Sequence, residues 1–186
     1  MRKLESTQLN LAGTLLLAHP GLLDPNFRRT VVLLSAHSRE EGAMGVILNR
    51  PMDKTLADFD ESLLHSSLGD VPVYRGGPVQ AEKLTLAAWN WSSEEGIFKL
   101  FFGIDAEKAR DFRADPQMVV RGFFGYSGWS EGQLEEELKE QSWLVSSIKG
   151  DLLRDKDGLG LWRTILAEVS PELKILADFP DDPSLN

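Results

Sequence analysis

The sequence predicts an α+β fold, built as one domain over the 186 residues of the chain. Short apolar runs rich in β-branched residues, such as Thr30–Ser35, indicate several strands. Helical patterns separate only some of these strands, and a doubly wound parallel sheet would need a regular alternation. No repeat or low-complexity linker divides the chain. We therefore expect a single domain over residues 1–186, with loose termini at 1–8 and 178–186.

The first half of the chain is predicted to consist mostly of strands. Each run is short, apolar and bounded by Gly, Pro or Asp, as is typical of buried strands. The predicted strands are Leu11–Ala18, Thr30–Ser35, Met44–Leu48 and Val71–Tyr74. Between the last two, Leu56–Leu64 has apolar residues at helical spacing and is predicted to be a helix.

The second half mixes strands and helices. The predicted strands are Leu84–Trp89 and Ile97–Phe102, which form a hairpin, followed by Met118–Phe124 and Trp143–Val145. Helices are expected from Asp105 to about Phe112, over Glu131–Glu140, along the apolar stripe Leu161–Val169, and after Ser170-Pro171.

The composition restricts the classes of function. The formal net charge is −9, and such a protein repels polyphosphate, so a nucleic-acid partner is not expected. The absence of cysteine removes disulfides, thiolate metal sites and thiol nucleophiles. The apolar run Leu11–Ala18 is too short to span a membrane, and the polar residues before it do not fit a signal peptide. We expect a cytoplasmic protein without a membrane segment.

The segment Gly128–Gly132 matches the G-x-S-x-G pattern of serine hydrolases, in which a strand leads into a helix. In α/β-hydrolases the catalytic histidine follows the serine, whereas His19, His37 and His65 all precede Ser130. Ser130 with Gln133 instead matches a capping box, so we expect helix capping. The histidines are 18 and 28 residues apart, which favours no metal site.

Three loops contain the remaining candidates for a site. The loop His19–Arg29 combines His, Asp and Arg with rigid residues, which fits a ligand site or a structural loop in which Asp24 makes a turn and Arg29 pairs with an acid. Gly76-Gly77-Pro78 lacks the Walker lysine and is predicted to be a turn, with anion binding by its amides as the alternative. Gly125–Trp129 is predicted to be a turn that closes the core or floors a ligand site, with Trp129 mostly buried.

Several motifs, in order along the chain, resemble the AlgH/YqgE family of bacterial proteins. They cover about residues 9–170 and include Leu17–Pro20, Asp24–Phe27, Arg29–Val32, Gly42–Gly45, Asn49–Pro51, Gly76–Val79, Gly125–Trp129 and Gly132–Glu135. One departure is Ala36-His37-Ser38, where the family often has Glu-His-Asn. The resemblance implies an α+β fold with a branched mixed sheet, a small barrel-like part and surrounding helices, in a cytosolic protein. It implies no defined chemistry, although one branch is named as a regulator of alginate synthesis.

Three hypotheses of function follow. The first is a non-catalytic binding or regulatory protein for a protein partner or a small ligand. Its candidate site comprises Asp24, Arg29, His37, Asn49, Gly76, Gly77, Tyr126 and Trp129, with no catalytic residue, cofactor or metal assigned. The second is a hydrolase-type enzyme, which requires Asp24, Arg29, His37, Asn49 and Tyr126 to converge on one pocket. The third is a DNA-binding regulator, which requires a basic face. The sequence leaves the partner and the oligomeric state open.

Overall fold

A computed structural model describes residues 10–149, 152–155 and 157–178. These residues form nine strands and five α-helices, which confirms the predicted α+β class. The strands are β1 (Leu15–Ala18), β2 (Val31–Ser38), β3 (Gly42–Ile47), β4 (Pro51–Thr55), β5 (Pro72–Arg75), β6 (Val79–Ser92), β7 (Ile97–Ile104), β8 (Val119–Trp129) and β9 (Trp143–Ser146). The helices are α1 (Ala106–Arg113), α2 (Gln133–Lys139), α3 (Leu152–Asp155), α4 (Gly158–Val169) and α5 (Pro171–Asp178). The segments predicted to be loose lie outside the described residues, except for Asp178, which ends α5.

The strands form one curled, branched and mixed sheet. Its main path runs β4-β5-β8-β3-β2-β1-β9, and β6 and β7 branch from β8. β5 and β8 pair in parallel, and the other pairings among the described strands are antiparallel. This arrangement matches the branched sheet that the family resemblance implies.

Strand β8 joins the two parts of the sheet. Its first half pairs with β5 and β6, and its last residues pair with β3, where Trp129 lies opposite Ala43. The expected turn over Gly125–Trp129 is therefore wrong, because these residues continue the strand. Gly125 has a φ of 70°, which L side chains rarely adopt, and it marks the bend between the two halves.

The central strands are buried on both faces. Along β1, Leu15 and Leu17 pack into one core with Trp162 and Ile165 of α4. Leu16 and Ala18 point to the opposite face and pack with Trp129, Trp143 and Leu134 of α2. Alternation along a strand places these residues on opposite faces, and helices on both sides explain why β1 is an uninterrupted apolar run.

The segment Leu56–Leu64 is the clearest difference from the predicted helices. It forms two short 3-10 helices, Leu56–Asp58 and Glu61–Leu63. The Asp58 carboxylate accepts from the Thr55 N–H, and the Asp60 carboxylate accepts from the Ser62 N–H. Two capping interactions this close together compete with a continuous helix.

Two elements were not predicted. β4 is a polar, mostly exposed strand that begins with Pro51 at the end of the main sheet path, so it lacks the apolar pattern of a buried strand. Helix α3 spans only four residues. None of the helices among the described residues is long and apolar enough to cross a membrane.

Candidate functional site

Asn49 holds the loop that follows β1 in place. The Asn49 side chain is buried and makes three hydrogen bonds to the backbone. Its Oδ1 accepts from the Val31 N–H at 2.8 Å, and its Nδ2 donates to the carbonyls of Arg29 at 2.9 Å and Gly158 at 3.1 Å. The amide thereby ties the loop and β2 to the start of α4. Its polar atoms are used in structural bonds.

Asp24 and Arg29 shape the same loop. The exposed Asp24 carboxylate accepts from the Asn26 N–H at 2.8 Å, which is the local turn expected for this residue. Arg29 has a φ of 55°, and its guanidinium carbon lies 5.7 Å from the centre of the Trp162 ring. Asn49 binds the Arg29 carbonyl, so Arg29 and Asn49 are the two candidates from this region that touch directly.

His37 forms a bridge between three segments. The Leu11 N–H donates to His37 Nδ1 at 3.0 Å, and His37 Nε2 lies 3.2 Å from Oε1 of Glu135 on α2. Because Nδ1 accepts a hydrogen bond, a neutral imidazole carries its hydrogen on Nε2, and this N–H donates a hydrogen bond to Glu135. The His37 side chain is only 5% exposed, so it connects β2, the residues before β1, and α2. No sequence pattern linked His37 to Glu135, 98 residues away.

Gly76 and Gly77 allow the chain after β5 to run very close beside β8. A Cβ at Gly76 would overlap the Gly125 carbonyl, and one at Gly77 would overlap the backbone of Tyr126. Ser127 Oγ donates to the Gly76 carbonyl at 3.1 Å between the two segments. The pair therefore meets β8 at the closeness that only glycine permits.

Trp129 belongs to a group that we call the tryptophan cluster: Phe27, Trp129, Trp143 and Glu137. Trp129 is 5% exposed, which confirms the predicted burial, and its ring lies 5.7 Å from that of Trp143. Both indole N–H groups donate to Glu137 Oε2, at 2.8 Å from Trp129 and 2.7 Å from Trp143. Gln133 Nε2 donates to the other oxygen of Glu137 at 2.9 Å. The carboxylate is thus held by three neutral donors.

Ser130 bonds to Gln133, as the predicted capping box requires, but Ser130 is not the N-cap residue of α2. The Gln133 Oε1 accepts from the Ser130 N–H at 3.0 Å and from its hydroxyl at 3.2 Å. Helix α2 begins only at Gln133, after Gly132 with a φ of 71°. The predicted start at Glu131 is therefore wrong, and Ser130 lies before the N-cap position. Half of the capping box is present, because the glutamine reaches back to Ser130.

Tyr126 lines a cavity of about 530 Å³, which we call the bulge cavity. Between Val79 and Leu84, β6 leaves the ladder, and its residues 80–83 lie opposite Gly125 alone. This four-residue bulge has Gln80 at a φ of 47°. The lining residues are Met44, Gln80, Lys83, Leu84, Thr85, Leu86, Phe102, Gly103, Ile104, Gly125 and Tyr126. Bulges of this kind frequently border functional sites.

The eight candidate residues are therefore distributed over distinct places. Asp24, Arg29 and Asn49 stabilise the loop before β2. His37 and Trp129 contact α2 through Glu135 and Glu137. Gly76, Gly77 and Tyr126 meet where β8 bends. Of the eight, Tyr126 lines the bulge cavity. Within the described residues, no three His, Asp or Glu side chains are grouped so that they could hold a metal ion.

Comparisons with known proteins agree with this architecture. The AlgH-like family model matches residues 15–174. A UPF0301 protein of Streptomyces avermitilis is 38% identical, with 95% of this chain and 96% of that protein covered. A UPF0301 protein of Parabacteroides distasonis is 33% identical, with 96% and 92% covered.

Solved structures extend the comparison. The solution structure of the AlgH protein from Pseudomonas aeruginosa has a TM-score of 0.65 at 27% identity, covering 98% of this chain and all of that one. A crystal structure from Corynebacterium diphtheriae has a TM-score of 0.70 at 20% identity, covering 96% and 95%, and at that identity it supports the fold alone. By its sequence and its fold, this chain belongs to the AlgH-like family.

Proposed function

We propose that this protein is a non-catalytic binding protein whose ligand is a small, mainly apolar molecule with an anionic group, held in the bulge cavity. The observation that supports this most directly is the cavity itself. Its volume of about 530 Å³ falls within the range of roughly 300–1,000 Å³ found for small-molecule sites. Cavities of that size with apolar walls and a few polar groups are the usual form of a ligand site.

The lining residues indicate the chemical class of the ligand. Met44, Leu86 and Phe102 supply apolar and aromatic contacts, which favour an apolar body. Lys83 contributes a cation, and Gln80 contributes an amide that can donate hydrogen bonds. A ligand with an anionic group beside an apolar body matches this combination.

The backbone supports the same proposal. Residues 80–83 bulge out of β6, and a Cβ at Gly125 would come close to the carbonyl of Val79 and the Cα of Ala81. Gln80 adopts a positive φ, which is unfavourable for a residue with a side chain. Backbone strain of this kind persists where the surrounding structure enforces it, often at ligand sites.

The remaining hypotheses receive less support. The polar candidates for an enzyme, Asn49 and His37, are engaged in structural hydrogen bonds at different places. A DNA-binding regulator would need a basic face, and the formal charge of −9 does not favour one. We keep the cytoplasm as the proposed location, because a cysteine-free chain is compatible with a reducing compartment.

The test uses two fluorescent probes of similar shape, anilinonaphthalene sulfonate and its uncharged analogue phenylnaphthylamine. Both should bind the full chain saturably, because the walls are apolar. Lys83→Gln should weaken the sulfonate about ten- to hundredfold through loss of a charge-assisted contact, and leave the neutral probe unchanged. The measurement is a fluorescence titration, with thermal melting to show that the variant is folded.

The matched control is Lys139→Gln on α2, where the exposed lysine pairs with Glu136. This change alters the net charge equally but lies outside the cavity lining. The proposal is wrong if neither probe saturates, or if Lys139→Gln weakens the sulfonate as much as Lys83→Gln does.

A further inference from the structure

A second cavity, of about 380 Å³, lies at the start of β8, whereas the bulge cavity lies further along that strand. Its lining residues are Pro72, Tyr74, Arg113, Met118, Val119, Val120, Arg121, Arg154 and Asp157, and we call it the arginine cavity. Three arginines converge on it in a chain whose formal net charge is −9. The same lining contains a single carboxylate, that of Asp157.

Arg121 is the most unusual of the three arginines. It is 5% exposed, and its hydrogen-bond acceptors are neutral carbonyls: Nη2 donates to Leu153 at 2.8 Å, and Nη1 donates weakly to Leu48 at 3.4 Å. Within the described residues, no carboxylate forms an ion pair with it. A guanidinium has five N–H groups, so three of them remain for another partner.

Aromatic faces support this buried cation. The guanidinium carbon lies 4.5 Å from the centre of the Tyr74 ring and 5.2 Å from that of Trp89. Burial lowers the pKa of Arg121, with Tyr74 and Asp157 opposing that change. Cation–π contacts offset part of the cost of desolvation, whereas a directly bound anion would offset more of it.

The acidic residue of the lining, Asp157, is already engaged. The Asp157 carboxylate accepts from the Tyr74 hydroxyl and from the Gly158 N–H, both at 2.6 Å, and it caps α4. Arg113, at the end of α1, uses Nη2 for Asp70 and Nε for the Ser67 carbonyl, so its Nη1 makes no bond to a described residue. Arg121 and Arg113 thus both retain unused donors.

We propose that the arginine cavity binds a small oxyacid anion, either a phosphate monoester or a carboxylate, held by Arg121 and Arg113. The planar guanidinium matches the geometry of both kinds of anion and can donate two parallel hydrogen bonds. Pro72, Met118 and Val119 add apolar wall, which accommodates a compact organic body on the anion. This site is separate from the bulge cavity, and the inference does not depend on the function proposed for it.

The experiment titrates the full chain with phenyl phosphate, benzoate and uncharged benzyl alcohol, by calorimetry and by thermal shift. At least one anion should bind saturably, and the tighter of the two identifies the head group. Arg113→Gln should weaken that anion about ten- to hundredfold, since one charge-assisted hydrogen bond is lost. The Nε–H signal of Arg121 in an NMR spectrum should also shift on titration.

Two controls separate binding from folding. Asp70→Asn breaks the same Arg113 ion pair but keeps the cation, so the affinity should stay unchanged or rise. Arg110→Gln removes an exposed arginine of the same helix that does not line the cavity, and it should have no effect. The proposal is overturned if neither anion saturates, if benzyl alcohol binds as tightly, or if Asp70→Asn weakens binding as much as Arg113→Gln. Lys83→Gln should leave this affinity unchanged, which keeps the two sites distinguishable.

Discussion

The tryptophan cluster and the arginine cavity each place a charged group against aromatic rings. The charge is an anion in the cluster and a cation in the cavity, and different parts of the rings contact it. In the cluster, the edges of Trp129 and Trp143 donate N–H bonds to the Glu137 carboxylate. In the cavity, the faces of Tyr74 and Trp89 lie against the Arg121 guanidinium. Aromatic rings have positive edges and negative faces, so each region presents the part of the ring that suits its charge.

The two regions differ in how completely the charge is bound. Glu137 receives a third hydrogen bond from Gln133, so both of its oxygens are occupied. Arg121 uses two donors on backbone carbonyls and faces a cavity of about 380 Å³. The first region is therefore a closed structural unit, and the second has unused binding capacity. Stability measurements should distinguish them.

The largest effect is expected for Trp129→Ala in the closed region. The indole is 5% exposed and packs against Phe27 and Trp143, so its loss should destabilise the fold by about 3–5 kcal/mol. It also removes one of the donors to Glu137. Urea unfolding measures the change, and Trp91→Ala, at a partly exposed position in β6, is the control with the smaller expected effect. An unchanged unfolding midpoint would contradict the structural role of the cluster.

The strands around these regions could be predicted because their signal is local. Thr30–Ser35 overlaps β2 and Met118–Phe124 overlaps the first half of β8, since apolar runs identify buried strands without knowledge of their partners. The sequence predicts that this strand ends before Gly125, whereas β8 continues through it to Trp129. A single glycine with positive φ changes the direction of β8 without ending it, and this depends on the neighbouring backbone of residues 77–81 that lies against it.

The charged groups were much harder to find. Glu137 lies in an acidic helix that looks fully solvated, and only the tertiary contact with Trp129 and Trp143 distinguishes it from Glu136. Arg121 did give a signal, because it stands between Val120 and Gly122 inside an apolar strand. A lone arginine in such a run indicates a buried cation. The cavity beside it also requires residues from β5, α1 and α3, and the N-cap residue of α4, which no local pattern brings together.

An intermediate effect is expected at Tyr74, in the open region. Burial raises the pKa of Tyr74 to about 12, Arg121 opposes the rise, and the hydrogen bond to Asp157 adds to it. The unfolded value is about 10, so the folded state binds more protons between about pH 10 and pH 12. The contribution of the neutral phenol to stability is therefore complete below pH 10 and is lost as the pH rises through that window.

Tyr74→Phe tests this linkage. At neutral pH the variant loses the hydrogen bond to the Asp157 carboxylate, which should cost about 1.5–3 kcal/mol. Above pH 10 the difference between the two proteins should shrink, because the wild type alone has this phenol to ionise. Urea unfolding at several pH values measures the difference, and Tyr126→Phe, the change at the other tyrosine of the chain, is the control. A difference that stays constant up to pH 12 would contradict the assignment.

The smallest effect is expected for Ser130→Ala, at the outer end of the bonds that hold Glu137. The hydroxyl donates to Gln133, which donates in turn to Glu137, and both Ser130 and Gln133 are exposed. The Ser130 N–H still binds Gln133 in the variant, so the loss should be about 0.5 kcal/mol or less, typical of an exposed position. Binding of the fluorescent probes and of the small anions should be unchanged, because Ser130 lines neither cavity. If Ser130→Ala instead abolished a measurable hydrolysis, the G-x-S-x-G pattern would have catalytic meaning, and the division between a closed structural region and an open binding region would be wrong.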